Sequence, residues 1–216
     1  MMTVLSASQR NLNVQPFNKC MDTTDQLISD FLESIRAEKI KHTIGLLRHH
    51  LPGIIFAKPC NPEVTDILLH TSYDELFHPE KVKHKSFADA TVSGLLLWNE
   101  CEQEAHTLAQ NINSPEGSYF HAIIHRREPD IWNSDYWFNR TGVHPVFPLV
   151  YDYVNKNFPE KIVKKILFKN SWDPKVFNKA VEEMQNDGNA ADSDLKTIQH
   201  AELLFLIAHS YRHTIG

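Results

Sequence analysis

The sequence predicts an all-α fold, a single domain of roughly seven to nine helices in an irregular bundle. Three observations carry this. Glycine is scarce, 7 of 216 residues, about half the usual ~7%, and all-β or Rossmann-type chains lean on glycine at turns and phosphate loops. Apolar residues recur at three- and four-residue spacing in most of the chain. Helix-start chemistry, a small polar residue followed by proline, stands at Ser114-Pro115 and Asp173-Pro174.

Taken in order, residues 1–22 are polar and aperiodic and read as an extended or disordered arm, leaving 23–216 as the helical domain. Asp22-Thr23-Thr24-Asp25 offers N-cap chemistry for a helix over 24–38, with Leu27, Ile28, Phe31, Leu32 and Ile35 on one face. Ile40, Ile44, Leu47 and Leu51 continue a second helix as far as Pro52-Gly53, and 52–61 reads as a loop or short strand. A shorter helical signal from Pro62 to His78 is broken by Pro79.

The firmest helical pattern spans 87–112, where Leu95, Trp98, Cys101, Ala105, Leu108 and Ile112 share a face with no proline between them. Ser114 then starts a helix that runs to Pro129, followed by helices over 134–141 and 145–157. Asp173-Pro174 opens a helix to about 186, ended by Gly188, and the last helix covers 192–212.

The net charge of −5 gives no general attraction to nucleic acid or to an anionic membrane surface. Five lysines over 156–169, interleaved with Ile162, Val163, Ile166 and Leu167, read as a solvated amphipathic element. The opening residues lack a cationic stretch followed by an apolar core, and no apolar run is long enough to span a bilayer. The 3 cysteines, Cys20, Cys60 and Cys101, form no CxxC pair. A reducing, cytoplasmic setting is the simple reading. Nothing in the chain sets an oligomeric state.

Histidine is the anomaly, with 13 copies. Segment 117–145, GSYFHAIIHRREPDIWNSDYWFNRTGVHP, concentrates histidine, arginine and aromatic residues. On a helix His121 and His125 stand at i and i+4, so their imidazoles leave one face a turn apart. That spacing offers two nitrogens to one divalent transition metal, with His106, Glu128 or Glu202 as further partners. The same two histidines are the candidate acid–base catalysts. Arg126, Arg127, Tyr136, Arg140 and His144 make a second constellation, suited to a small anionic molecule such as a phosphate or carboxylate. His106 and Gln110 are another i, i+4 pair on the polar border of their helix. Trp132, Trp137 and Phe138 read as core or as the wall of a pocket.

Other machinery is excluded by its motifs. There is no HExxH, P-loop, GxGxxG or GxSxG. HRREPDIWN has the outline of a kinase catalytic loop, but no glycine-rich loop, VAIK lysine or DFG accompanies it. Cys101, on an apolar helix face, reads as packing.

Residues 117–145 resemble the signature of a family of uncharacterised bacterial and fungal proteins, approximately GxYxHxxxHRREPD, an asparagine, then YWFRRxGxHP. Gly117, Tyr119, His121, His125, Arg126, Arg127, Glu128, Pro129 and Asp130 match the first part. Asn133, Tyr136, Trp137, Phe138, Arg140, Gly142, His144 and Pro145 match the second, and Asn139 departs from it. The resemblance implies a site in this segment and carries no reaction.

Two functional readings follow. In one, the histidines, arginines and tyrosine line a pocket that binds a small anion or forms an active site, with or without a metal. In the other, the same residues form a buried polar network, the arginines pairing with Glu116, Glu128, Asp130 or Asp135 in a non-catalytic helical protein.

Overall fold

The structure, a computed structural model, describes residues 19–56, 61–186 and 193–216, with side chains from Thr24 onward. The expected arm therefore lies outside the described residues over 1–18, as do Cys60 and the helix stop at Gly188. Residues 19–22, expected to belong to the arm, are the start of the first helix, which ends at Ser34 and not near 38.

Among the described residues the fold is an irregular all-helical bundle of twelve helices and one two-stranded hairpin. The first half comprises α1 (Lys19–Ser34), α2 (Glu38–Leu47), α3 (Pro62–His70), α4 (Tyr73–Leu76), α5 (Lys85–Trp98) and α6 (Glu102–Ala109). The second half comprises α7 (Pro115–Arg127), α8 (Ile131–Thr141), α9 (Val146–Asn157), α10 (Glu160–Ile166), α11 (Pro174–Asn186) and α12 (Ser193–Ile215). The hairpin, β1 (Leu167–Phe168) with β2 (Ser171–Trp172), separates α10 from α11. No described helix is long and apolar enough to cross a membrane.

The helix count exceeds the expected seven to nine mainly because two patterns are broken. The stretch from Pro62 divides into α3 and α4, the latter capped by Ser72, whose side chain accepts from the Glu75 N–H. The supposedly continuous helix over 87–112 divides into α5 and α6 at Asn99-Glu100-Cys101, where Glu100 adopts a left-handed φ of 65°. Long-range hydrogen bonds hold this corner. Asn99 Nδ2 donates to the Asn61 carbonyl (3.0 Å), and the Asn61 N–H donates to Asn99 Oδ1 (2.9 Å). The Glu100 carboxylate is buried and accepts from the Gly53 N–H (2.9 Å) and from Arg127. Helical periodicity cannot register bonds to groups so distant in sequence. Between α2 and Asn61, residues 52–56 form no strand.

The core forms where α5, α7 and α12 cross. α12 is buried nearly all round, from Leu195 to Thr214, as expected of a central helix. Gly94 on α5 permits the close approach: a Cβ there would lie 2.5 Å from Ile207 Cγ1 of α12 and 2.7 Å from the Phe120 ring of α7. α7 is nearly as enclosed, with every residue from Glu116 to Arg127 buried. α8 packs along it, fixed by Ser134 Oγ donating to the Ala122 carbonyl (2.7 Å).

Candidate metal centre

α7 starts where the sequence marks it. Ser114 is the N-cap, its side chain accepting from the Gly117 N–H, and Pro115 occupies the first turn. Gly117 is required by the turn before it, since a Cβ would fall 2.2 Å from the Ile112 carbonyl oxygen. One turn on, His121 and His125 share a face, their rings stacked at 4.7 Å.

The corner at 99–101 turns α6 so that His106 meets this face. His106 Nε2 lies 2.6 Å from His121 Nε2, and its ring is edge-on to that of His125 at 5.2 Å. One nitrogen from each of the three imidazoles falls within 4.8 Å of the others. Trp137 of α8 stacks on His121 at 4.0 Å and closes one side. Three imidazoles from two rigid helices form a donor set suited to zinc and its neighbours.

The surroundings favour lone pairs over charge. Burial, reinforced by His106 and His125, lowers the pKa of His121 to about 3. His106 is also lowered by burial, against the pull of Glu128. His125 Nδ1 lies 2.7 Å from Glu128 Oε2. A carboxylate there accepts a hydrogen bond from the Nδ1–H and leaves Nε2 as the lone-pair nitrogen, the arrangement that orients metal-binding histidines. Nδ2 of Asn133 lies 3.1 Å from that Nε2, a donor that a metal ion would displace from its lone pair. Nδ1 of His121 is buried without a hydrogen-bond partner, so the contact of its Nε2 with His106 Nε2 is what bears on the tautomer of that ring.

Glu128 thus supports His125 from behind. It also meets Glu102, whose pKa is raised by burial, by the Glu128 charge and by a hydrogen bond between the two. Sequence reasoning missed Glu102, although it stands at i−4 from His106 on α6, the same spacing that marked His121 and His125.

Glu202 is not a partner of this centre. It is fully buried against Arg126, whose Nη1 donates to Oε2 at 2.5 Å, and it accepts from the Tyr119 hydroxyl at 2.9 Å. Arg126 also donates through Nε to Asn178 Oδ1 (2.6 Å) and lies between the rings of Phe138 and Phe177. Arg127 pairs with Glu100, donates to the Leu97 carbonyl (2.8 Å) and stacks on Phe56. The expectation that these arginines grip a ligand is corrected: both are sealed in the interior, and buried carboxylates occupy the forks that would hold an anion.

Tyr136 and Arg140 face outward, away from those arginines. Tyr136 stacks on Trp132, which is 80% exposed and so neither core nor pocket wall. Arg140 lies over Trp137 at 5.3 Å. Gln110 is exposed at the C-terminus of α6.

His144 is buried in a separate group. Its Nε2 and the Nε2 of His209 each lie 3.4 Å from Glu116 Oε1, and Ser114 Oγ donates to Glu116 Oε2 at 2.7 Å. Two histidines and a carboxylate can hold a metal, but the Val146 N–H donates to His144 Nδ1 at 3.2 Å. That bond places the ring proton of a neutral His144 on Nε2, which then presents an N–H toward Glu116 and has no lone pair to offer. Burial would raise the Glu116 carboxyl, but bonds from His144, His209 and Ser114 hold it far below the usual range. The five residues expected to bind an anion therefore share no single pocket. His209 had no signal beyond the abundance of histidine.

Comparison of the chain with protein-family models, with curated proteins and with solved structures finds no match.

Proposed function

We propose that the protein binds a divalent transition metal, with zinc the best fit, through His106, His121 and His125, and that the centre is catalytic in type. The single observation behind this is the convergence of three imidazole nitrogens within 4.8 Å from two packed helices. Three protein ligands leave a coordination position open, as catalytic zinc sites do and closed structural ones do not. A cation held there would supply Lewis acidity toward an oxygen of a substrate.

The chain's own groups have distinct tasks in this reading. Glu128 orients His125 and keeps its Nδ1 protonated. Glu102, its carboxyl raised beside Glu128, is able to hold and release a proton next to the centre. Trp137 excludes water from the His121 side. The second reading, a buried structural network, is favoured for the arginines alone, because Arg126 and Arg127 are buried and ion-paired with Glu202 and Glu100.

The test is elemental analysis of untagged protein purified without chelators, beside the His121→Ala/His125→Ala double variant. Near-stoichiometric metal in the wild type, lost in the double variant, is expected. Glu128→Ala should retain the site with affinity lowered about 10–100-fold. A wild type that carries no metal and keeps none after equilibration with zinc refutes the proposal.

A further inference from the structure

A cavity of mixed polar and apolar lining, Ile28 and Leu51 included, lies away from the three histidines, where the C-terminal end of α2 meets α1 and α12. Its volume is about 90 Å³, and Arg48, His49, His50, Thr197, His200 and Asp25 contribute to its lining. His200 is 3% exposed, and both of its ring nitrogens are buried without a hydrogen-bond partner. The Nε of Arg48 is likewise buried and unpartnered, although Nη2 of the same side chain donates to Ser29 Oγ at 3.1 Å.

Such groups are costly to leave unsatisfied, and each one so placed requires an explanation. Here two of them, an imidazole and a guanidinium N–H, line one cavity. We propose that this cavity binds a small oxyanion of phosphate size, held by Arg48 and His200.

The donor chemistry selects the ligand. A guanidinium N–H and an imidazole N–H both seek oxygen acceptors, and the lining adds the imidazoles of His49 and of His50, the latter 3.4 Å from Glu100 Oε1. Beneath the cavity, burial lowers the pKa of His200 to about 3, and His50 and Arg127 push it the same way. As a neutral ring His200 has one N–H to donate, and an oxyanion oxygen would accept it. Asp25 is the opposing charge in the lining, and it favours an oxyanion that retains a proton to share. The cavity volume is enough for a phosphoryl group. This inference stands apart from the metal centre, since no residue is common to the two.

The test is thermal unfolding of the full chain with inorganic phosphate against sodium chloride at matched ionic strength. Phosphate at ten times its dissociation constant should raise Tm by about 3–6 °C. Arg48→Met, at a half-buried position, should weaken phosphate binding about tenfold or more. His200→Phe should abolish the phosphate shift, and its Tm without phosphate should equal or exceed that of the wild type, because the unpaired nitrogens are gone. Phenyl phosphate separates two sources. A shift with inorganic phosphate alone supports a free oxyanion as ligand, and a shift with both supports the phosphoryl end of a larger metabolite. Equal Tm in phosphate and chloride, or a phosphate shift in Arg48→Met as large as that of the wild type, overturns the proposal.

Discussion

Replacing Arg126 by methionine asks whether the buried arginine serves the interior or a ligand. The substitution keeps most of the side-chain volume between Phe138 and Phe177 and removes the charge. Glu202, at 0% exposure, would lose the donor 2.5 Å from Oε2 and keep only the Tyr119 hydroxyl. Asn178 Oδ1 would lose its 2.6 Å bond as well. Breaking one side of a buried ion pair costs about 3–5 kcal/mol. In a chain of this size each kcal/mol moves Tm by about 2–4 °C, so Arg126→Met should melt about 6–20 °C lower. Adding Glu202→Gln removes the stranded charge but keeps an acceptor for Tyr119. The double variant should therefore recover at least about 2 kcal/mol of that loss. Urea unfolding at pH 7 reads both, through midpoints at an unchanged slope. An Arg126→Met variant within about 1 kcal/mol of wild type, or a double variant no better than the single, would refute the claim that the pair is structural.

Two further outcomes follow from the same geometry. Because Glu116 is held far below its ordinary value of 4.5, its contribution to stability is present above that value and is lost as pH falls through the folded one. Glu116→Gln should cost about 1–3 kcal/mol at pH 7 and flatten the acid limb of the stability curve; wild-type and variant curves that run parallel below pH 5 would contradict this. Gly94→Ala places a methyl 2.5 Å from Ile207 Cγ1. Overpacking of about 1–3 kcal/mol should outweigh the ~1 kcal/mol gained in helix propensity, and a variant with raised Tm would show that α5 and α12 can separate there.

What the sequence reveals and what it hides divide along a physical line. Helix starts are local chemistry, so Ser114-Pro115 marked the start of α7, whereas α8, expected from 134, begins at Ile131, capped by Asp130, which accepts from the Asn133 N–H. The shared face of His121 and His125 is likewise local, a consequence of 3.6 residues per turn. His106 was named as a partner from residue type alone. Its arrival depends on the corner at Glu100, which is made by bonds from Arg127 and Gly53. The arginines were the harder problem. Four acids stand near them in sequence, yet their carboxylates come from Glu100 and Glu202, separated from Arg127 and Arg126 by 27 and 76 positions. Which of several acids pairs with a buried guanidinium is decided by packing, and no local pattern encodes it. Trp132 was misjudged for the same reason: its hydrophobicity argued for the interior, but α8 turns its other face inward.

The adjacency of Arg126 and Arg127 has a mechanical consequence. Neighbouring residues on a helix point about 100° apart, and here each grips a different wall: α12 through Glu202 and the 99–101 corner through Glu100. α7 is therefore keyed like a shaft with two splines, free neither to roll about its axis nor to slide along it. The phase of that key fixes the direction in which His121 and His125 point. A single residue gained or lost between His121 and Arg126 would leave the helix intact and the arginines seated while turning His121 away from His106. The length of this stretch of α7 is thus as much a part of the centre as the histidines themselves.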